Sequence, residues 1–213
     1  MNTIALFPIP DCVTFPGMVF PLHVFEPRYR AMIKYCMDND LLLGICHTQK
    51  VLSPAKPDQE VNEALHSNQA TYKPYTIFSA GKCELLKTLE DGRLYLKVHI
   101  QSRFKAVSEI QTIPFSLFEC TPYHDQPVDH TLLNEAEVTK EKILKRLQVM
   151  TNSIPDAQRL LFSDEWVNKD LSRFSFEIFG LLQFDADLQQ EILEMTSVKA
   201  RLDYLLDLLN EQN

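Results

Sequence analysis

Five prolines between Leu6 and Pro27 limit what this chain can fold into. Pro8, Pro10, Pro16, Pro21 and Pro27 are threaded through short apolar runs in LFPIPDCVTFPGMVFPLHVFEP. Each proline fixes φ and removes a ladder donor, which rules out one long helix or one long central strand. Short extended pieces with sharp corners are expected instead. After Glu26-Pro27 the pattern changes. Tyr29, Met32, Ile33, Cys36 and Met37 follow the i, i+3, i+4, i+7, i+8 spacing of an amphipathic helix. Pro27 fits the first helical position, where its missing N–H costs nothing. Asp38-Asn39-Asp40 ends the helix, and 41–46 reads as a fresh apolar strand.

Phe7-Pro8, Phe15-Pro16-Gly17, the run Pro21-Leu22-His23-Val24-Phe25-Glu26-Pro27-Arg28-Tyr29 and the apolar stretch 42–45 carry a resemblance. Together they resemble the opening signature of the Lon protease N-terminal domain, also called the Lon substrate-binding domain. The resemblance resumes at Asp91-Gly92-Arg93 and Arg103-Phe104-Lys105-Ala106-Val107, and again in the stretches 188–194 and 201–209. There are departures. Ser79-Ala80-Gly81-Lys82 stands where the family has Gly-Thr, and Ile100 stands where it has Gly three residues before the Arg, which leaves a bulge there open. The resemblance implies an α+β fold, with an N-terminal PUA-like β-pseudobarrel and embedded helix (1–122) followed by a C-terminal helical bundle (123–213). It implies a broad role and no reaction. The chain stops at Asn213, where the family's ATPase region would be reached, so a stand-alone substrate-binding-like protein is expected.

The remaining pattern supports a β half followed by an α half. The segment 48–74 is polar, with Pro54, Pro57 and Pro74, and reads as a long loop with a helical turn near 58–65. The stretch 75–89 is strand-like, and Asp91-Gly92 is a hairpin turn signal. Leu94, Leu96, Val98 and Ile100 alternate with polar residues. The segments 103–107 and 115–120 read as two more strands, and 122–130 as a linker. Thr131 is expected to cap a helix to about Thr151, with Ile143, Leu144, Leu147 and Met150 inward. Further helices follow at 153 onward, 168–182 and 186–195, the last capped by Asp185. Thr196 or Ser197 caps a final helix with Val198, Leu202, Leu205, Leu206 and Leu209 inward.

Composition excludes several function classes. The formal net charge is -8. Twelve basic and 14 acidic residues precede Thr131, and 9 and 15 follow, so neither part has the basic excess that non-specific nucleic-acid binding needs. The five cysteines include no CxxC pair, and reduced, mostly buried thiols in a cytoplasmic protein are expected. No signal peptide is read at the N-terminus, and no apolar run approaches a membrane span. No two of the five glycines have the P-loop spacing, and GxSxG and GxGxxG fail likewise. No enzyme activity, cofactor or metal is expected.

Candidate sites are few. His124, Asp125, Asp129 and His130 offer oxygen and nitrogen ligands on a spacing that matches no metal template, and they read as a solvated connector. Cys46-His47 reads as a buried thiol beside an outward imidazole, because adjacent strand residues face opposite ways. His23 reads as a satisfied, partly buried histidine. Glu26 and Arg28 read as a structural keystone at the helix start, with a peptide-binding role as the alternative. Four aromatics, Phe118, Tyr123, Phe162 and Trp166, lie near the change from strands to helices and are the candidate polypeptide contacts. The functional expectation is a non-enzymatic module binding unfolded polypeptide or a specific protein partner, with no membrane and no nucleic acid. The alternative is a nucleic-acid or small-molecule reader on a PUA-like barrel. The oligomeric state is not read from the sequence.

Overall fold

The structure is a computed structural model that describes residues 1–53, 71–127 and 129–211. Two compact units emerge. The first comprises Met1–His124 with Gln183–Leu193, and the second comprises Asp125–Leu182 with Glu194–Asn213.

The first unit is built on strands β1 (Asn2–Pro8), β2 (Val19–Val24), β3 (Leu42–Cys46), β6 (Ile77–Thr88), β7 (Leu94–Gln111) and β8 (Leu117–Pro122), with helix α1 (Pro27–Asp38) after β2. The strand order is β2-β7-β6-β3-β1-β8, and β8 returns to pair with β7. β1 and β3 are parallel, and the other pairs in this sheet are antiparallel. β7 makes the closure possible. Its first half pairs with β2 and its second half with β8, while β6 runs along both. The segments read as separate strands at 94–100 and 103–107 are therefore one strand of 18 residues. The strand bends at a bulge. Ala80 pairs with Ser102 and Gly81 with Ile100, so Gln101 is the extra residue. Gly81 opposite it is required, since a Cβ there would stand 1.8 Å from the His99 carbonyl oxygen. The bulge is present although Ile100 replaces the family's glycine.

Period-two alternation sets the core. Ile4 and Leu6 join Cys46, Phe78, Ala80, Phe104 and Cys120 in one cluster, while Ala5 between them joins a second. That second cluster receives Tyr29, Met32, Ile33 and Cys36 from α1, packed against Leu22, Val24, Leu43, Leu96 and Val98. Met37, expected on the buried stripe, is exposed, because the stripe has rotated outward by the last turn.

The 48–74 segment is more ordered at its ends than a loop. Strands β4 (Thr48–Ser53) and β5 (Thr71–Pro74) pair antiparallel, with Val51 opposite Tyr72. The pairing brings together residues far apart in sequence, which local periodicity does not reveal. The turn expected at 58–65 lies outside the described residues.

The second unit is helical: α2 (His130–Met150), α3 (Pro155–Leu161), α4 (Asp164–Val167), α5 (Leu171–Glu177) with a 3-10 turn at Ile178–Gly180, and α7 (Val198–Glu211). Helix α6 (Ala186–Glu194) lies almost wholly in the first unit. Asp129, not Thr131, caps α2, accepting the Leu132 N–H at 2.9 Å. Met150, expected inward, is exposed at the helix end. Asp185 caps α6 at 2.9 Å and Ser197 caps α7 at 3.2 Å. Among the described residues, no helix is long and apolar enough to cross a membrane.

Candidate functional site

Proline placement builds a groove in the first unit. β2 stands last in the strand order, so one of its edges meets no further strand among the described residues. Ile100 N–H donates to the Met18 carbonyl at 2.9 Å. By antiparallel alternation, Phe20, Leu22 and Val24 then bond toward β7, and Val19, Pro21 and His23 turn their backbone outward. Pro21 occupies an outward position, where its missing N–H breaks no ladder bond. Beside this strand the end of β1 supplies Phe7, Pro8, Ile9 and Pro10, α1 supplies Tyr29, and β5 supplies Tyr72. Together with Phe20, Leu22, His23, Val24, Phe25 and Glu26 they line an open groove of about 370 Å³. That is within the size range of ligand pockets, about 300–1,000 Å³.

The groove walls are aromatic and aliphatic, and its charge is internally satisfied. Leu22 and Val24 are buried in the floor, while Phe7, Phe20 and Phe25 are half-buried. Phe7 stacks on Tyr29 with ring centres 4.1 Å apart, and the Arg28 guanidinium covers Tyr29 at 4.5 Å. Arg28 Nε and Nη2 each donate to Glu26 Oε2 at 3.0 Å. Burial chiefly pushes the Tyr29 phenol up to about 12, so it stays protonated near neutral pH. His23, expected to be partly buried, is exposed and stacks on Tyr95 at 4.4 Å. It shares β2 with Leu22 and Val24 but points to the other face.

The four aromatics expected as contacts have separate surroundings. Phe118 packs half-buried against the Ile4–Phe104 cluster of the first unit. Tyr123 lies under the Arg103 guanidinium at 5.0 Å. Phe162 is half-buried just after α3 in the second unit. Trp166 is 6% exposed, edge-on to Phe174 at 6.0 Å and covered by the Lys169 ammonium at 4.1 Å. It is core, because the short α4 turns its ring inward onto α5.

The polar candidates have structural work. Asp125 receives both terminal nitrogens of Arg201 at 2.7 Å. Arg201 is fully buried, donates to Ser175 Oγ at 3.0 Å and covers Phe176 at 3.9 Å. The sequence signal was there: an arginine between Val198 and Leu202 on an apolar stripe must find a partner. His47 is not outward. It is 5% exposed, stacks on Tyr75 at 5.3 Å and places Nε2 3.4 Å from Asp187 of α6. The strand ends at Cys46, so alternation does not extend to His47. Cys46 Sγ donates to the His47 and Tyr75 carbonyls at 3.2 Å, and burial pushes the thiol far up, so no thiolate forms for a Cys–His dyad. The groove residues Phe7, Phe20, Phe25 and Tyr72 were not singled out as contacts from the sequence, although Phe7 and Phe25 stand in the stretches that carry the resemblance; aromatics within two residues of a proline (Pro8, Pro21, Pro27, Pro74) are the signal that marks them.

Comparison with known proteins gives a consistent result. The family model of the ATP-dependent protease La (LON) substrate-binding domain matches residues 3–211. The Lon protease of Anaeromyxobacter dehalogenans is 22% identical over 208 residues, 97% of this chain and 23% of that protein. Lon protease 2 of Myxococcus xanthus is 22% identical over 212 residues, 99% of this chain and 24% of that protein. The chain thus spans about a quarter of the length of these relatives. Among solved structures, the N-terminal domain of a Mycobacterium avium complex Lon protease superimposes with a TM-score of 0.69 at 17% identity, covering 100% of both chains. A Lon N-terminal domain protein from Xanthomonas campestris gives 0.61 at 16% identity, covering 97% of this chain and 98% of that one. At such identities the likeness is one of fold.

Proposed function

This chain belongs to the substrate-binding domain family of ATP-dependent protease La (Lon), and from that membership we propose that it is a non-enzymatic module that captures extended polypeptide in the β2 groove. The observation that carries the reading is the groove itself. Its walls are Phe, Tyr, Pro and aliphatic side chains, and the one carboxylate among its lining residues, Glu26, is neutralised by Arg28. Such a surface matches apolar and aromatic side chains that folded proteins hide and unfolded ones show. Phe118 and Tyr123, each half-buried in the first unit, are secondary candidate contacts; Phe162, half-buried in the second unit, is a separate candidate, and Trp166 is withdrawn from the set by its burial. The closure of β7 onto both β6 and β8 supports reading the first unit as a PUA-like pseudobarrel. The net charge of -8 weighs against nucleic acid as the ligand. The absence of a phosphate-loop motif from the sequence supports a role in binding rather than ATP hydrolysis.

Calorimetry tests this better than tryptophan fluorescence, since Trp166 is buried in the other unit. A reduced, carboxymethylated polypeptide is expected to bind at about micromolar affinity or weaker, as befits one short contact. Its folded, disulfide-intact form is expected not to bind. Phe25→Glu places a charge in the groove and is expected to weaken binding about tenfold or more. Val149→Glu, on the exposed face of α2, is expected to leave it unchanged. Equal binding of both ligand forms, or an unaffected Phe25→Glu protein, overturns the reading.

A further inference from the structure

A second cavity of the first unit, of about 160 Å³, opens where α1 ends and β3 begins. Cys36, Met37, Asp40, Leu41, Lys82 and Cys83 line it, so three of its six lining side chains carry sulfur. Two independent constraints bring the thiols to this place. The Leu41 N–H donates to the Cys36 carbonyl at 2.9 Å, which lays the helix end against the start of β3. The β3–β6 register pairs Leu43 with Gly81, and continuing it by two residues sets Leu41 opposite Cys83. Cys36 from the helix end and Cys83 from β6 thus line the same cavity beside Leu41. Both pack into the same apolar cluster, and both thiols are free. Met37 stands partly outside, at the mouth. The Lys82 ammonium is fixed there by the Asp40 carbonyl and carboxylate, each at 2.5 Å.

We propose that this cavity is a site for a soft monovalent metal ion, cuprous copper, held by Cys36 and Cys83 with the Met37 thioether as third donor. Thiolate and thioether ligands select Cu(I). A structural zinc ion takes four donors, and no group of three or more His, Cys, Asp or Glu able to hold a metal occurs among the described residues. Binding replaces two S–H bonds by two Cu–S bonds and releases two protons to solvent. The resulting bis-thiolate centre carries one negative charge and lies beside the Lys82 ammonium, which it shares with the Asp40 carboxylate. Affinity therefore rises with pH, because the ion competes with protons.

The test uses the full chain, reduced and under anaerobic conditions, with Cu(I) delivered from its bicinchoninate complex. One equivalent is expected to transfer, with an ultraviolet thiolate-to-copper band. Cys36→Ser and Cys83→Ser are each expected to abolish the band. Met37→Leu, at a partly exposed position, is expected to weaken binding while the band persists. Lys82→Gln is expected to weaken binding about tenfold, as loss of a supporting partner does. Cys12→Ser and Cys120→Ser are expected to bind as the unmodified protein does. No transfer of copper, a band that survives both Cys36→Ser and Cys83→Ser, or a band that requires Cys120 overturns the proposal. Because Met37 and Lys82 are partly exposed, their variants keep the test decisive if a cysteine variant fails to fold.

Discussion

Arg28 reaches back two residues to Glu26, and the pair fixes the corner at which β2 becomes α1. The side chains of Arg28 and Glu26 are only 12% and 11% exposed, so the ion pair is largely desolvated. Glu26 does not cap the helix with its side chain; its backbone carbonyl accepts the Tyr29 and Arg30 N–H groups instead. Removing the guanidinium takes the ion-pair partner from a nearly buried carboxylate and uncovers the Tyr29 ring. Arg28→Ala is therefore expected to lower stability by about 1–3 kcal/mol in urea denaturation. Arg28→Lys is expected to recover part of it, since an ammonium lacks the planar fork and stacks less well. A denaturation curve for Arg28→Ala that superimposes on the parent would show that the pair does not hold the corner.

At the level of elements, what was legible in the sequence is what local chemistry dictates. Pro27 at the helix start, the Asp91-Gly92 hairpin with Gly92 at φ +84°, and the Asp185 cap follow from residues within a few positions of one another. What was not legible depends on partners distant in the chain. Nothing in 48–53 or 71–74 announces that Val51 will meet Tyr72. The amphipathic pattern of α6 says that it buries a face, but not that its Gln190 Nε2 donates to the Ile77 carbonyl at 2.9 Å, or that Arg103 donates to its Leu193 carbonyl at 2.6 Å. The groove shares this fate, since it needs β1, β2, α1 and β5 together. Gly81 sits on the boundary between the two cases. Its departure from the family pattern was visible, while the reason for the glycine is the β7 backbone across from it. A methyl there meets the His99 carbonyl carbon at 2.4 Å as well as its oxygen, and backbone cannot step aside without opening the β6–β7 pairing. Gly81→Ala is expected to cost about 1–3 kcal/mol or more, read as a shift in urea midpoint. An unshifted midpoint would mean that the bulge relaxes freely.

Over the whole molecule, buried acidic protons give the fold a pH limit. Burial pushes the Cys12 thiol up to about 11 and those of Cys36, Cys83 and Cys120 up to about 12, from an ordinary 9.0. Cys46 is pushed higher still, and the Tyr29 phenol rises from 10.0 to about 12. These groups are neutral in the folded protein over a range where the unfolded chain ionises. Above the ordinary thiol value the unfolded state binds fewer protons than the folded one, so stability falls as pH rises. Below that value both states hold the protons, and these groups contribute no slope. Each fully ionised thiol in the unfolded chain adds about 1.4 kcal/mol of lost stability per pH unit. Several acting together exhaust an ordinary domain stability of about 5–15 kcal/mol within one to three pH units. The urea midpoint is thus expected to show no thiol-linked slope near neutrality and to decline steeply above pH ~9. Cys120→Ala, which removes one such proton from the Ile4–Phe104 cluster, is expected to make the decline shallower even if it lowers the midpoint at neutral pH. A midpoint that stays level up to pH ~11 would show that these thiols ionise alike in the folded and unfolded chain.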